Sequence, residues 1–233
     1  MKSYIKEALL IAFGMIIMGE SISRGLNKAF GNKRIVSVRG LAVREVEANK
    51  VIWPLVYAEL GNDLSELYTS CSDKNRRIVK FLTDNGIKKE DITTKAPQVT
   101  DMTANMYSGN TSGYRYNVQS CITVASSEVA KVRALILRQS ELLSQGIAIK
   151  GNDRYENPIT FEFTDLNAIK PAMIEEATKN ARAAGEKFAQ DSDSELGQIK
   201  EARQGQFSIE DRDVNSPHIK MVRVVTSIDF FLE

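Results

Sequence analysis

Between Asp165 and Ala202 the chain carries one apolar seam at helical spacing, and this seam limits the possible folds more than any other feature. Ile169, Met173, Ala177, Ala181, Ala184 and Phe188 are separated by four, four, four, three and four positions, which is the period of one helical face. Alanine in the middle of the seam lets a helix axis lie close to a sheet. The other face carries Lys170, Glu175, Lys179, Arg182, Glu186 and Lys187. Glu175 and Lys179 have the i,i+4 spacing of a pair that adds only a few tenths of a kcal/mol. After Asp191-Ser192-Asp193-Ser194, the glycine in Leu196-Gly197-Gln198-Ile199 is expected to end the helix and open a strand.

The rest of the chain alternates strands with shorter helices. Ile35-Val36-Ser37-Val38 and Val51 to Tyr57 read as two strands joined through Glu47-Ala48-Asn49-Lys50 into a hairpin. Pro54 cannot donate to a ladder, so an edge or a bulge is expected there. Trp53, the one tryptophan, is expected in the core. Asp63 and Glu66 have capping-box spacing ahead of a helix whose inner face is Leu64, Leu67, Tyr68, Cys71, Ile78, Val79 and Leu82, closed at Asn85-Gly86. A strand near Asp91–Asp101, a polar hairpin loop from Met102 to Gly113 and a cleanly alternating strand from Tyr114 to Val124 follow. Tyr116, Val118, Ile122 and Val124 share the inward face of that last strand.

A second helix is capped by Ser126 or Ser127, with Val129, Val132, Ile136 and Leu143 inward and Gly146 at its end. A strand from about Asp153 to Thr164 leads into the long helix. Strands from Gly197 to Gln206 and from Ile219 to Leu232 flank a polar connection through Asp211-Arg212-Asp213. The expected fold class is α+β: about seven strands in a mixed or antiparallel arrangement covered by three helices, plus an N-terminal hydrophobic helix.

Residues 1–33 stand apart as an anchor or signal segment, ahead of a domain at 34–233. Lys2 and Lys6 precede the uncharged apolar run Ala8–Gly19. A helix over that run covers roughly 18 Å, short of a ~30 Å hydrocarbon core. Such a length suits a signal peptide, yet no A-x-A site follows, and a run apolar on all sides suits a buried globular helix badly. Arg24, Lys28, Lys33 and Arg34 lie on the far side, so positive charge gives no orientation. An uncleaved anchor and a cleaved signal both stay open, and both place the rest of the chain across a membrane, with contact through residues 8–19.

The net charge of +1, with no basic run longer than Arg76-Arg77 or Lys88-Lys89, gives no field for nucleic acid. Tyr107, Tyr114 and Tyr116 could stack on bases, but without basic neighbours in number they are expected to pack on the sheet or in a subunit contact. His218 is the sole histidine, follows Pro217, and has no G-x-S-x-G partner motif. The expectation is therefore no catalytic residue and no enzyme. Two cysteines and one histidine cannot complete a standard zinc site. Cys71 is expected as a small core hydrophobe and Cys121 on the polar phase of its strand, where a redox role is conceivable. No phosphate-cradling glycine loop is present, and Asp191, Asp193 and Glu195 lack the remainder of a calcium loop, so no cofactor or metal is expected.

In their order, several pieces resemble the SIMPL-domain family of bacterial envelope proteins. They are Val38-Arg39-Gly40-Leu41-Ala42, Gly86-Ile87 with Asp91-Ile92-Thr93-Thr94, Tyr114-Arg115-Tyr116, and Asn180 to Ala189 with Leu196-Gly197 behind it. The match departs at Leu41, where many members carry a small or acidic residue. The resemblance implies a non-enzymatic protein, exported to the periplasm or anchored in the inner membrane with its domain on the periplasmic side. It also implies a link to oxidative or other stress tolerance and assembly into a homo-oligomer, with any other protein partner unspecified. The loops Met102–Gly113 and Gly205–Pro217 are expected contact surfaces. An alternative from the residues themselves is a small-ligand or redox-responsive binding module built on a sheet–helix crevice, using Cys121.

Overall fold

The computed structural model describes residues 5–30, 34–104, 113–151 and 157–233. Among them the fold is α+β, with nine strands and five α-helices. In chain order these are α1 (Ile5–Phe30), β1 (Ile35–Glu47), β2 (Lys50–Gly61), α2 (Leu64–Asp84), β3 (Ile92–Thr94) and β4 (Gln98–Asp101). There follow β5 (Tyr116–Ser126), α3 (Val129–Leu137), α4 (Ser140–Ser144), β6 (Thr160–Glu162), α5 (Leu166–Asp191), β7 (Leu196–Gln204), β8 (Ser208–Asp211) and β9 (Ile219–Leu232). One sheet has the order β1-β9-β7 with β8 also on β9, and a second has the order β3-β5-β2-β6 with β4 also on β5.

The expected hairpin of β1 and β2 is not formed, because the two strands enter different sheets. Ala48 and Asn49 are held elsewhere: the Ala48 amide donates to the His218 carbonyl (2.8 Å) and the Asn49 amide to the Glu162 carbonyl (2.9 Å). Nothing in the local sequence separates a tight hairpin from a corner that changes sheets. Pro54 meets its expectation: β6 pairs only with Lys50–Ile52 of β2, and the next bridge on that side is Tyr57 to Ile149.

The chain forms two compact units: Met1–Ala42, Ala172–Phe207 and Val224–Glu233 make the first, and Val43–Pro171 with Ser208–Arg223 the second. In the first, α5 buries Met173, Ala177, Ala181, Gly185 and Ala189. The expected seam holds through Ala181 and then fails. Ala184 is exposed, and Phe188 is 52% exposed. Constant four-residue steps carry the contact stripe on to Gly185 and Ala189, and these small residues fit where a phenyl ring would not. A Cβ on Gly185 would stand only 3.2 Å from Leu196 Cδ1 and 3.4 Å from the Phe230 ring. Ala177 and Ala181 lie directly against β1, where Gly40 meets the helix backbone. Asn180 Nδ2 donates to the Leu41 carbonyl (2.8 Å), tying the helix to the same strand. Val36, Ala181, Ile228 and Phe230 form the buried cluster.

The helix ends differently from expectation. Gly197 lies inside β7, and the left-handed position after α5 belongs to Asp193 (φ 48°). Serines supply the closure: the Ser192 hydroxyl donates to the Phe188 carbonyl (2.9 Å) and the Ser194 amide to that of Ala189 (2.9 Å). Gly86 (φ 83°) and Gly146 (φ 77°) do close α2 and α4 in left-handed geometry.

In the second unit, Val51, Trp53, Leu55 and Tyr57 of β2 and Val118, Ile122 and Val124 of β5 point into one core beneath the helices. Asp63 caps α2, its carboxylate accepting from the Ser65 (2.7 Å) and Glu66 (3.1 Å) amides. Phe81 joins the buried stripe of α2, whereas Leu64 and Tyr68 are exposed. The second expected helix breaks into α3 and α4 at Arg138–Gln139. The break rotates the buried face, so Leu135 and Leu142 are inside while Leu143 is exposed. The strand expected from Asp153 to Thr164 is only the three residues of β6, and residues 152–156 lie outside the described set.

Most of the Met102–Gly113 loop, Tyr107 included, is likewise outside the described residues; β4 and β5 form its base. β4 and β5 pair antiparallel from Gln98↔Gln119 to Asp101↔Tyr116. Asp101 accepts from the Thr103 hydroxyl (2.7 Å) and from two guanidinium nitrogens of Arg115 (3.0 and 3.1 Å). These bonds, Thr103 first, lower its carboxyl pKa to about 2.

Candidate functional site

The most chemically distinctive place in the second unit lies under α2, where polar residues interrupt two apolar stripes. Asn75 falls on the stripe of Cys71, Ile78 and Leu82, and Ser120 falls on the buried phase of β5. Ser120 stands opposite Tyr57 in the β2–β5 register. All three meet. The Tyr57 hydroxyl donates to the Cys71 carbonyl (2.9 Å) and lies 2.8 Å from Asn75 Oδ1, while the Ser120 hydroxyl donates to the same oxygen (3.0 Å). Tyr57 and Ser120 are fully buried, so the network satisfies groups that would otherwise destabilise the core. Burial raises the Tyr57 hydroxyl far above its usual pKa, opposed by a smaller effect of Ser120. Beside it Lys74 and Glu59 make a largely buried ion pair (2.6 Å).

Above this network opens a groove of about 510 Å³. One wall is α2, through Tyr68, Cys71, Ser72, Asn75, Arg76 and Val79; the other is Lys89, Thr94, Lys95 and Pro97. The second wall is held in place by β3, whose Thr94 pairs with Ile122, and by the Lys95 amide donating to the Cys121 carbonyl (3.0 Å). The sequence held a signal for this site: a polar residue in phase with each of two apolar stripes. Without the register, nothing linked Asn75 to Ser120.

Both cysteines are free thiols. Cys71 is buried, as expected of a small core hydrophobe, and Cys121 is half-buried on the other phase of β5, its sulfur 3.7 Å from Thr123 Oγ1. Burial raises the Cys71 thiol pKa, and the Glu59 carboxylate adds to the effect. In a Cys121→Ser variant, Cys71 is therefore expected to react with a maleimide at pH 8 at least about tenfold more slowly than in the urea-unfolded chain. Equal rates would mean that the thiol is open and ionisable.

His218 is not part of the groove lining. Its ring meets Phe161 edge-on (centroids 6.1 Å apart, 65° between planes). Burial lowers its pKa first, with Arg133 and Arg212 acting in the same direction. Near it a second cavity of about 740 Å³ is lined by Pro158–Phe161, Asp211, Asp213, Val214, Pro217 and Lys220. Lys220 is buried there and paired with Asp211. Asp191 accepts from Lys187 (2.6 Å) at the end of α5. Among the described residues no cluster of three potential metal ligands forms, at Asp191, Asp193 and Glu195 or elsewhere. Tyr116 is half-buried at the start of β5 with the Arg115 guanidinium 4.9 Å from its ring centre, and Tyr114 is exposed.

At the N-terminus, α1 runs well past the twelve-residue apolar stretch. Ala8–Gly25, eighteen residues, is long and apolar enough to cross a membrane, and none of it is buried. Its two charges, Glu20 and Arg24, pair with each other across one helical turn (2.6 Å).

A family model, SIMPL, described as a protein of unknown function, matches residues 36–226. Comparison with curated proteins found no match.

Proposed function

The chain belongs to the SIMPL family, and from that premise we propose that it is an envelope protein, tethered or exported through residues 1–33, whose domain at 34–233 acts by self-association or partner contact and not by catalysis. The observation that carries this reading is α1. Eighteen apolar-rich residues span about 27 Å as a helix, close to a ~30 Å hydrocarbon core, and Glu20 and Arg24 neutralise each other inside that span. The twelve-residue run that looked too short on its own thus becomes long enough once the paired charges are admitted. In the first unit Ile35 and Leu41 stand exposed on the outer phase of β1, which suits contact with a second copy. A contribution to oxidative-stress tolerance rests on the family resemblance alone.

The test is fractionation of the full-length chain with N-terminal sequencing, followed by its mass in detergent by sedimentation. Recovery in the carbonate-resistant membrane fraction with residue 1 intact is the anchor outcome. A soluble periplasmic protein starting near residue 20–34 is the exported outcome. A cytosolic chain, or a monomeric mass at micromolar concentration, overturns location and self-association respectively.

A further inference from the structure

Unlike the chain as a whole, which is almost neutral, the groove over α2 is charged with one sign. Arg76, Lys89 and Lys95 line it, and no carboxylate does. Arg76 shares Asp73, whereas Lys89 and Lys95 have no ion-pair partner among the described residues. The apolar part of the lining is Tyr68, Val79 and Pro97, with Tyr68 69% exposed. At the floor, both hydroxyls of the buried network converge on Asn75, whose side chain also lines the groove. Cys71 contributes a neutral thiol that does not repel negative charge. The volume of about 510 Å³ falls in the range that encloses small ligands. The cavity near His218 differs in just this respect, since Asp211 already neutralises its one cation and Asp213 adds negative charge.

We propose that this groove binds a small organic anion, a flat apolar body bearing a carboxylate or phosphate. The head group is held by Lys89 and Lys95 at the rim with the Asn75 side chain below, and the body lies between Tyr68, Val79 and Pro97. Ammonium groups on flexible stems accept either oxyanion, so the two head groups share one chemistry here. The lining of this site lies wholly within the second unit.

The full-length protein in a zwitterionic detergent is titrated with 4-fluorobenzoate and with 4-fluorophenyl phosphate and followed by ¹⁹F NMR, with detergent alone as the blank. Saturable binding of at least one anion is expected, and the stronger of the two identifies the head group. The neutral 4-fluorobenzyl alcohol is expected to bind about tenfold more weakly. A Lys89→Gln/Lys95→Gln variant is expected to weaken the anion about tenfold and to flatten its salt dependence. Tyr68→Ala is expected to weaken anion and alcohol alike. All three positions are exposed, and circular dichroism confirms that the variants are folded. Uptake no different from the blank, an alcohol that binds as tightly as the anions, or an affinity unchanged in the double-lysine variant would overturn the proposal. Displacement of the aryl anion by inorganic phosphate at equal concentration would overturn the role of the apolar wall.

Discussion

Replacing Gly40 with alanine is expected to destabilise the first unit by about 3 kcal/mol or more, the upper end of what overpacking produces. A Cβ at this position would stand 1.8 Å from the Ala177 carbonyl oxygen and 2.4 Å from the Ala181 amide nitrogen. Both are backbone atoms of a helix, so no rotamer change relieves the clash. The helix must lift from β1, and the Asn180 bond to the Leu41 carbonyl goes with it. Gly151→Ala is the matched control, because nothing lies within 4 Å of its added methyl; a change within about 0.5 kcal/mol is expected there. Urea unfolding followed by circular dichroism measures both. A Gly40→Ala midpoint equal to that of the control would mean that α5 does not rest on β1 as described.

In the second unit, Trp53→Ala is expected to cost about 3–5 kcal/mol, as for other large buried aromatics truncated in a core. Trp53 is fully buried, and its indole N–H has no hydrogen-bond partner among the described residues. The side chain therefore stabilises by volume and apolar contact, with an unpaired donor working against it. Trp53→Phe should cost only about 1–2 kcal/mol, since it removes that donor together with part of the ring. Far-UV circular dichroism is the readout, because both variants lose the chain's one tryptophan. Equal losses in the two variants would show that the indole nitrogen contributes a bond of its own.

Much of this architecture was legible residue by residue. The alternation in β5, the extent of β9, the Asp63 cap and the burial of Met173, Ala177 and Ala181 all follow from period and local chemistry. What stayed hidden was information that lies between segments. Ala184 and Gly185 are both small, and only the side chains beneath α5, Leu196 and Phe230, decide that the residue without a Cβ faces them. Glu47-Ala48-Asn49-Lys50 has the length and polarity of a hairpin connection, yet the partner of β1 is some 180 residues away in β9. The Arg138–Gln139 break carries no proline or glycine to announce it. The groove over α2 depends on a register, Tyr57 opposite Ser120, that no single stretch encodes. His218, Cys121 and the acidic turn after α5 each stand out singly in the sequence. The site that emerged is instead an assembly of residues none of which stands out alone.

β9 is the ninth strand in chain order and the middle one of its sheet. Its end is stitched on both sides, the Leu232 amide to the Arg34 carbonyl (2.9 Å) and the Glu233 amide to the Glu195 carbonyl (3.0 Å). During synthesis β1 therefore waits without its ladder partner until β9 has been made. The same geometry makes the sheet depend on one strand: without β9, each of β1, β7 and β8 loses the partner it pairs with.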